Sequence, residues 1–201
     1  MKTKKEIIAI MEELQHGACG HLGLSALNMA EEVMSLTNPK SILEIGFNAG
    51  HSASMWLGFS NAKLTSLDVA TPPWLTWEGG MKDSVSVIKK HFGDRFEFHI
   101  ANSLNLETRK QPYMIGHDLF FIDGAHEEAP CAHDIETAIL SGAKYIFLDD
   151  YMDSIPTVIC AANQFKDNLK LIRRFKLDNY DVGEYTECGD INNAALFQVI
   201  I

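Results

Sequence analysis

Basic residues are scarce in this sequence relative to acidic ones. Lysine and arginine together number 17, aspartate and glutamate number 27, and the formal net charge of the 201 residues is −10. A chain this acidic is repelled by a nucleic-acid backbone and by an anionic membrane surface. We therefore expect neither as a partner, and we expect a small or neutral substrate.

Paired cysteines and long apolar runs are also absent. The four cysteines lie far apart, at Cys19, Cys131, Cys160 and Cys188. Without a Cys-x-x-Cys pair, they predict reduced thiols rather than disulfides or a structural zinc site. The opening residues, MKTKKEIIAIMEELQ, are basic and then amphipathic and lack the apolar core of a signal peptide, and no run is long enough to cross a membrane. We expect a cytoplasmic protein.

What the sequence does contain is a regular alternation of short apolar segments with helical patterns. The predicted strands cover 41–46, 63–69, 95–100, 117–123 and 143–150, and the predicted helices cover about 50–59, 81–92, 126–141 and 155–168. Strands joined by helices form a mostly parallel sheet with helices on both faces. Two further strands, 169–177 and 194–201, have no helix between them and predict an antiparallel hairpin at one edge.

Helical patterns also precede the first strand. Apolar residues recur at helical spacing in 4–15 and in about 24–36, and Pro39 stops the second pattern. No internal repeat or low-complexity linker follows. We predict a helical cap, residues 1–38, on an α/β domain, residues 39–201, within one structural domain overall.

Polar or acidic residues follow five of the predicted strands. They are Glu44 to Gly50, Asp68, Asn102 and Ser103, Asp123 to His126, and Asp149 with Asp150. In an open parallel sheet, ligands bind beyond the carboxyl ends of the strands, where strand order reverses. Five such ends together predict a binding site along this edge.

The segment LEIGFNAGHSA joins the first strand to a helix and suits a bound ligand. Gly46 and Gly50 let the backbone approach a ligand closely, and Ser52 opens a helix with free amides. Asn48 stands where the dinucleotide fingerprint has its middle glycine, which disfavours a pyrophosphate-binding loop. The alternative is an ordinary α/β turn followed by a helix cap.

Acidic residues flank this loop. Glu44, within the first strand, repels phosphate and favours a cation, such as the sulfonium and ammonium groups of S-adenosylmethionine (SAM). Asp68, at the end of the second strand, is placed to accept both ribose hydroxyls of a nucleoside. Together with Gly46 and Gly50, these acids predict a site for a nucleoside cofactor.

Three aspartates, Asp123, Asp149 and Asp150, end the fourth and fifth strands, which we expect to be neighbours. Carboxylates that converge without a cation repel one another, and a divalent metal removes that cost. Oxygen ligands favour Mg²⁺, with Ca²⁺ or Mn²⁺ as alternatives. The competing interpretation is that Asp149 and Asp150 cap the next helix or pair with lysines.

His126 follows Asp123 by three residues, a spacing that aims both side chains at one substrate oxygen. Because histidine titrates near neutral pH, His126 is a candidate general base; otherwise it is a helix-start residue without a role. A zinc site of His126, Cys131 and His133 is disfavoured, since Cys131 would point away from the face that the histidines share. We expect Asp134 to brace the sheet or a loop, and His133 to face solvent.

The segment TPPWLTWEGGM (71–81) follows the second strand and is rich in aromatic and turn residues. Residues that bind ligands are often found on loops of this kind. Trp74 and Trp77 could contact the cofactor or a sugar ring, or pack on the N-terminal helices, and the sequence does not decide between these.

Several of these segments together resemble a known family. SILEIGFNAGHSASMWL, LTSLDV, ANSLNL, HDLFFIDGAHEEAPCAHDIETAI and YIFLDDY, within about residues 40–168, are similar to class I SAM-dependent methyltransferases. More narrowly, they resemble the branch that includes metal-dependent sugar O-methyltransferases. The resemblance implies a Rossmann-like α/β fold with a seven-stranded, mostly parallel sheet and an antiparallel C-terminal hairpin.

The resemblance also implies roles for individual residues. Glu44, Gly46 and Gly50 would line the methionine end of the cofactor, Asp68 would hold the ribose, and Asn102 and Ser103 would border the adenine. Asn48, Ser52 and Asp123 complete the candidate cofactor contacts. The acidic positions of metal-dependent members read Asp123, Asp149 and Asp150, and the histidine of the sugar methyltransferases corresponds to His126. Phe47 and Asn48 depart from the family's glycine loop.

The expected function is methyl transfer from SAM to a hydroxyl of a small molecule or sugar. Asp123 and His126 are the candidate catalytic residues, and a divalent cation such as Mg²⁺ is expected to assist. The alternatives are a non-catalytic cofactor-binding protein, a metal-independent methyltransferase and a nicotinamide-dependent oxidoreductase, which the missing middle glycine disfavours. The small size of the chain is compatible with a homodimer.

Overall fold

The computed structural model describes residues 1–14, 24–71, 76–176 and 193–200. The strands are β1 (Ser41–Ile45), β2 (Lys63–Asp68), β3 (Phe96–Ile100), β4 (Leu119–Ile122), β5 (Tyr145–Leu148), β6 (Leu169–Lys176) and β7 (Asn193–Val199). The helices are α1 (Lys4–Met11), α2 (Leu24–Thr37), α3 (His51–Phe59), α4 (Lys82–Phe92), α5 (Leu106–Arg109), α6 (Glu128–Leu140) and α7 (Pro156–Asn163).

The seven strands form one sheet in the order β3-β2-β1-β4-β5-β7-β6. The first five strands of the chain pair in parallel, while β7 is antiparallel to both β5 and β6. Strand order reverses between β1 and β4, so the carboxyl ends of β1, β2, β4 and β5 lie along one edge. The predicted Rossmann-like α/β fold with an antiparallel C-terminal hairpin is confirmed.

The inner strands are apolar on both faces because helices cover both sides of the sheet. All four residues of β4 are buried. On one face, Trp56 of α3 is fully buried, with its ring centroid 5.1 Å from that of Phe121 and 5.6 Å from that of Phe147. On the other face, Phe120 packs in a second cluster with Ile135 of α6. Two cores therefore hold the sheet edge in place.

The N-terminal helix α1 shares one of these cores. Its start is fixed by a capping box, in which Thr3 and Glu6 each accept a backbone N–H of the other. Ile7 and Ile10 are buried in the same hydrophobic cluster as Trp56. The predicted division between a cap and a domain at residue 38 stays a prediction.

The ends of the elements differ from the sequence prediction by a few residues. β4 and β5 end at Ile122 and Leu148, so the aspartates that follow them lie in loops rather than in strands. α6 begins at Glu128 rather than 126, because Glu127 has extended backbone geometry. α7 ends at Asn163 rather than 168, and hydrogen-bonded turns fill the segment before β6.

Trp77 stacks on Phe98 of β3, with 5.6 Å between ring centroids, and packs against the hydrophobic cluster that also contains Ile7 and Ile10 of α1. Cys131 and Cys160 are free thiols. Trp74, Cys19 and Cys188 lie outside the described residues.

Within the described ranges, no helix combines the length and the apolar character needed to span a lipid bilayer.

Replacing Gly58 by alanine is expected to destabilise the fold. An added Cβ would lie 2.6 Å from both Cδ1 and Cγ1 of Ile7, so α1 could not pack against α3 without a shift. Overpacking of this kind costs about 1–3 kcal/mol in the free energy of unfolding. Urea denaturation of Gly58→Ala measures the loss.

The matched control for this prediction is a double-mutant cycle with Ile7→Ala. Because the truncated side chain leaves room for the new methyl group, the two losses should sum to more than the loss of the double variant. Simple additivity would show that the contact between Gly58 and Ile7 does not limit the packing of α1.

Candidate active site

The loop between β1 and α3 approaches the chain after β4 more closely than any side chain would allow. Gly46 has a φ of 96°, and a Cβ added there would lie 1.9 Å from the carbonyl oxygen of Asp123. Gly50 has a φ of 83°, and its Cβ would lie 2.7 Å from Cζ of Phe47. Both predicted glycine positions are therefore required by the geometry of the loop itself.

The two departures from the family's glycine loop have structural explanations. Asn48 has a φ of 47°, in the left-handed region that asparagine tolerates better than most residues. Phe47 is buried, with its ring 5.7 Å from Phe96 and 5.0 Å from Phe98. Asn48 thus takes a conformation usual for glycine, and Phe47 anchors the loop to β3.

Asp68 accepts hydrogen bonds from backbone amides of two loops, the one after β1 and the one after β2. Its Oδ2 accepts hydrogen bonds from the N–H groups of Phe47 at 3.0 Å and Asn48 at 2.9 Å. Its Oδ1 accepts from the N–H of Ala70 at 2.8 Å. The residue predicted to hold the ribose therefore also shapes the loop, a role that the sequence analysis did not identify.

Glu44 lies beneath the loop and is fully buried. Its Oε1 accepts a hydrogen bond from the hydroxyl of Ser52 at 2.6 Å, and its Oε2 accepts one from the hydroxyl of Ser66. Burial raises the pKa of Glu44 to about 8, and the charges of Asp123 and Asp68 add to this against the lowering effect of the serines. The two carboxylate oxygens are thus engaged inside the protein.

Ser66 was missed by the sequence analysis, although a signal exists. It pairs directly with Glu44 across β1 and β2, so their side chains share one face of the sheet. A polar residue at a buried position of β2 indicates a buried partner, because an unpaired hydroxyl there is costly.

Asp123, His126 and Asp150 converge beyond the ends of β4 and β5. Nε2 of His126 lies 3.2 Å from Oδ2 of Asp150 and 3.5 Å from Oδ1 of Asp123. One ligand atom from each of the three residues lies within 4.8 Å of the others. Asp149, the third metal ligand predicted from the sequence, is outside this group.

The pKa values of the acidic residues in and beside this group are raised because the carboxyl groups are buried close together. Burial raises the pKa of Asp123, of Asp150 and, most strongly, of Asp149, whose pKa is raised further by the charges of the other two. The hydrogen bond to Asp123 and the charge of Asp150 raise the pKa of His126 to about 9. The two acids therefore favour the protonated form of the imidazole.

These side chains fit a divalent cation. No lysine or arginine of the described ranges forms an ion pair with Asp123, Asp149 or Asp150, so the competing interpretation of lysine pairing is not supported there. Carboxylates that lack a permanent counter-charge are the kind of site that a metal ion stabilises. Asp123 and Asp150 would be its ligands, with His126 and Asp149 beside them.

The backbone is held in a defined conformation at Asp150 and at His126, two residues of this group. Asp150 has a φ of 52°, which turns the chain sharply after β5. The carbonyl oxygen of His126 accepts a hydrogen bond from the hydroxyl of Thr157 in α7, at 2.6 Å. Thr157 carries no sequence signal, since its partner lies 31 residues away in the chain.

The loop after β3 holds the remaining predicted cofactor residues. Asn102 is exposed, and its Oδ1 accepts a hydrogen bond from the N–H of Leu104 at 2.9 Å. Ser103 is buried beside Asp134 of α6. Burial raises the pKa of Asp134 to about 6, against a hydrogen bond from Ser103 that lowers it. The expected bracing role of Asp134 agrees with this contact.

The disfavoured zinc interpretation gains no support. Cys131 is buried in the core on α6, and burial raises the pKa of its thiol to about 12. Within the part of the chain that the structure describes, the group of possible metal ligands contains no cysteine. His133, expected to face solvent, is half-buried.

No family model and no curated protein matches the chain, but solved structures do. An inferred O-methyltransferase from Klebsiella pneumoniae is similar with a TM-score of 0.70 and 13% identity, over 100% of this chain and 92% of that one. The O-methyltransferase of Bacillus cereus in complex with S-adenosylhomocysteine (SAH) has a TM-score of 0.66 and 11% identity, over 100% and 93%. TomG of Streptomyces achromogenes, an O-methyltransferase of tomaymycin synthesis in complex with SAM, has a TM-score of 0.66 and 12% identity, over 90% and 82%.

The chain has the fold of these SAM-dependent O-methyltransferases. An inferred RNA methyltransferase of Pyrococcus horikoshii has the fold as well. The fold therefore does not decide the methyl acceptor, which has to be argued from the site. The narrower resemblance to metal-dependent sugar O-methyltransferases stays a prediction.

Replacing Glu44 by glutamine is expected to remove one source of pH dependence in stability. Because the pKa of Glu44 is raised from 4.5 to about 8 in the folded protein, the folded state holds a proton that the unfolded state has lost. Wild-type stability therefore falls as pH rises through this window, by at most about 1.4 kcal/mol per pH unit from this group. Glutamine keeps the shape and carries no charge.

The measurement is the free energy of unfolding of both proteins between pH 5 and pH 8. The stability of Glu44→Gln relative to wild type should rise across this range, because glutamine has no proton that the unfolded state loses first. A difference that is independent of pH would show that Glu44 is ionised when folded. Glu44→Ala is the contrasting variant, and should be less stable at every pH because it leaves Ser52 and Ser66 without their acceptor.

Proposed function

We propose that this protein is a SAM-dependent O-methyltransferase that methylates a hydroxyl of a small molecule or sugar with the assistance of a divalent cation. The observation that carries the proposal is the contact between Gly46 and the carbonyl of Asp123. It joins the glycine loop, a candidate cofactor site, to the acidic group after β4 and β5. A methyl donor and a metal-held acceptor would therefore be neighbours.

The cofactor side of the proposal uses the loops after β1, β2 and β3. The Gly46–Gly50 loop would lie against the methionine part, Asp68 would accept from the ribose, and Asn102 and Ser103 would border the adenine. SAM supplies an electrophilic methyl group on a sulfonium. The edge suits that charge, because none of the ion pairs within the described residues places a lysine or arginine on Asp68 or on Asp123. The fold neighbours in complex with SAM and SAH support this part of the proposal.

The metal side uses Asp123 and Asp150, with Asp149 adjacent. A divalent cation held there would supply a positive charge that lowers the pKa of an acceptor hydroxyl. The carboxylates would thereby set the position of that hydroxyl relative to the glycine loop, and catalysis of a single displacement depends mainly on such placement. Mg²⁺ or Mn²⁺ matches the oxygen ligands.

His126 is the proposed general base because it lies just beyond the carboxyl end of β4, beside Asp123 and Asp150. A histidine that is already protonated cannot accept a proton. The base role therefore requires that the charges of Asp123 and Asp150 be engaged by the cation and not by the imidazole. The hydrogen bond from Thr157 to the carbonyl of His126 holds the backbone of this residue in place.

The methyl acceptor is argued from charge. The chain carries a net charge of −10, and Asp123, Asp149 and Asp150 lie at the site, so a polyanionic acceptor such as a nucleic acid is disfavoured. A neutral sugar, a polyol or a catechol-like phenol presents a hydroxyl without adding negative charge.

Binding and transfer are tested together. Titration calorimetry should show uptake of SAH, and of Mn²⁺ or Mg²⁺, by the wild-type chain. With SAM and a panel of hydroxyl acceptors, SAH release should require the cation and stop on addition of EDTA. His126→Gln should lower kcat by about 100-fold or more, since general base catalysis contributes about 10²–10⁴-fold, and should leave SAH affinity unchanged.

Asp150→Asn and Asp153→Asn form a matched pair in the same loop. Asparagine tolerates the φ of 52° at position 150, so the variant removes charge without adding backbone strain. Asp150→Asn should weaken Mn²⁺ binding at least 10-fold. Asp153→Asn should leave Mn²⁺ affinity unchanged, because the side chain of Asp153 is 96% exposed. SAH binding without any transfer would favour the non-catalytic alternative, and transfer that survives EDTA would overturn the metal role.

A further inference from the structure

Asp68 is hydrogen-bonded to backbone amides of the glycine loop. Its Oδ2 holds two successive amides, those of Phe47 and Asn48, and its Oδ1 holds the amide of Ala70. These donors come from two loops, one after β1 and one after β2. Phe47 and Asn48 lie 21 and 20 residues before Asp68 in the chain. One carboxylate therefore ties together the two loops that border the candidate cofactor site.

The amides that Asp68 holds belong in part to strained residues. Asn48 has a φ of 47° and Ala70 a φ of 54°, and neither is glycine. Left-handed geometry costs such residues on the order of 1 kcal/mol or more, so it persists only where the surroundings fix it. The hydrogen bonds from the amides of Asn48 and Ala70 to Asp68 supply that fixation on both sides.

The carboxylate has little capacity left for a ligand. Two carboxylate oxygens offer about four lone-pair sites. Two sites on Oδ2 and one on Oδ1 are filled by backbone amides. Counting donors among the described residues, a single site on Oδ1 remains, which is enough for one hydroxyl donor and not for two.

We propose that Asp68 is a positioning residue that builds the glycine loop before any cofactor binds, and that it accepts only one of the two ribose hydroxyls. The second part rests on the proposed function, since it requires SAM or SAH as the ligand. The first part does not. This differs from the expectation that Asp68 serves both hydroxyls, because that arrangement would require the carboxylate to release loop amides.

The loop role is tested on the ligand-free protein by amide hydrogen exchange. In the wild type, the amides of Phe47, Asn48 and Ala70 should be protected. In Asp68→Asn, at least one of the donors meets an NH₂ group instead of an oxygen, and exchange of these amides should speed up about 10-fold or more. Protection in β4 and β5 should not change, which separates local loop opening from general loss of stability.

Asp118→Asn is the matched control. Asp118 also accepts a hydrogen bond from a backbone amide, that of Lys40 at 2.7 Å. Asp118 directly precedes β4, however, and so lies at the amino ends of the parallel strands, opposite the candidate site. This variant should leave exchange at Phe47, Asn48 and Ala70 unaltered. Fast exchange of these amides in the wild type would overturn the loop role, and this result does not depend on whether any variant folds.

The ribose part is tested by calorimetry with SAH, 2′-deoxy-SAH and 3′-deoxy-SAH on the wild-type chain. One deoxy analogue should bind about 10-fold or more weakly than SAH, and the other within about threefold. Equal weakening by both would overturn the single-hydroxyl part. Absence of SAH binding would overturn the proposed function together with the ribose part, while the exchange data would still decide whether Asp68 builds the loop.

Discussion

The contact between the Cα of Gly46 and the carbonyl of Asp123 is the constraint on which the candidate site depends. The space between them cannot accept even a methyl group. Because β1 and β4 are neighbours at the point where strand order reverses, their following loops meet there. One loop carries the glycine turn and the other carries the acidic group. The two halves of the site are therefore fixed relative to each other by backbone rather than by side chains.

Negative charge at the sheet edge is handled in three different ways. Glu44 is buried with serine donors, and burial favours its protonated form. Asp68 is satisfied by backbone amides. Asp123 and Asp150 both pair with the imidazole of His126. One imidazole compensates the negative charge of these crowded carboxylates only in part. Only this last group has a reason to bind a cation, which is why the proposed metal site lies there and not at Glu44.

Much of the fold follows from the sequence because it depends on local patterns. The alternation of strands and helices, the hairpin and the identity of Gly46 and Gly50 as loop residues are all readable along the chain. The partners of Asp68 and Glu44 were not predicted, because they come from amides and hydroxyls about 20 residues away in sequence or across a strand pair. The group that lies within 4.8 Å contains Asp123, His126 and Asp150, and a metal-ligand role for Asp149 stays a prediction, although the charges of Asp123 and Asp150 act on its carboxyl group.

The place of β7 in the sheet bears on how the chain folds during synthesis. β7 comes last of the described strands, yet it lies between β5 and β6. Among these strands β6 pairs only with β7, so it has no hydrogen-bonding neighbour until the later residues leave the ribosome. The pairing of β1 with β2 and β4 does not share this delay, but residues of β6 and β7 belong to both hydrophobic clusters. The strands that carry the candidate site can therefore pair before β7 is made, whereas both cores are completed only when the outer hairpin closes.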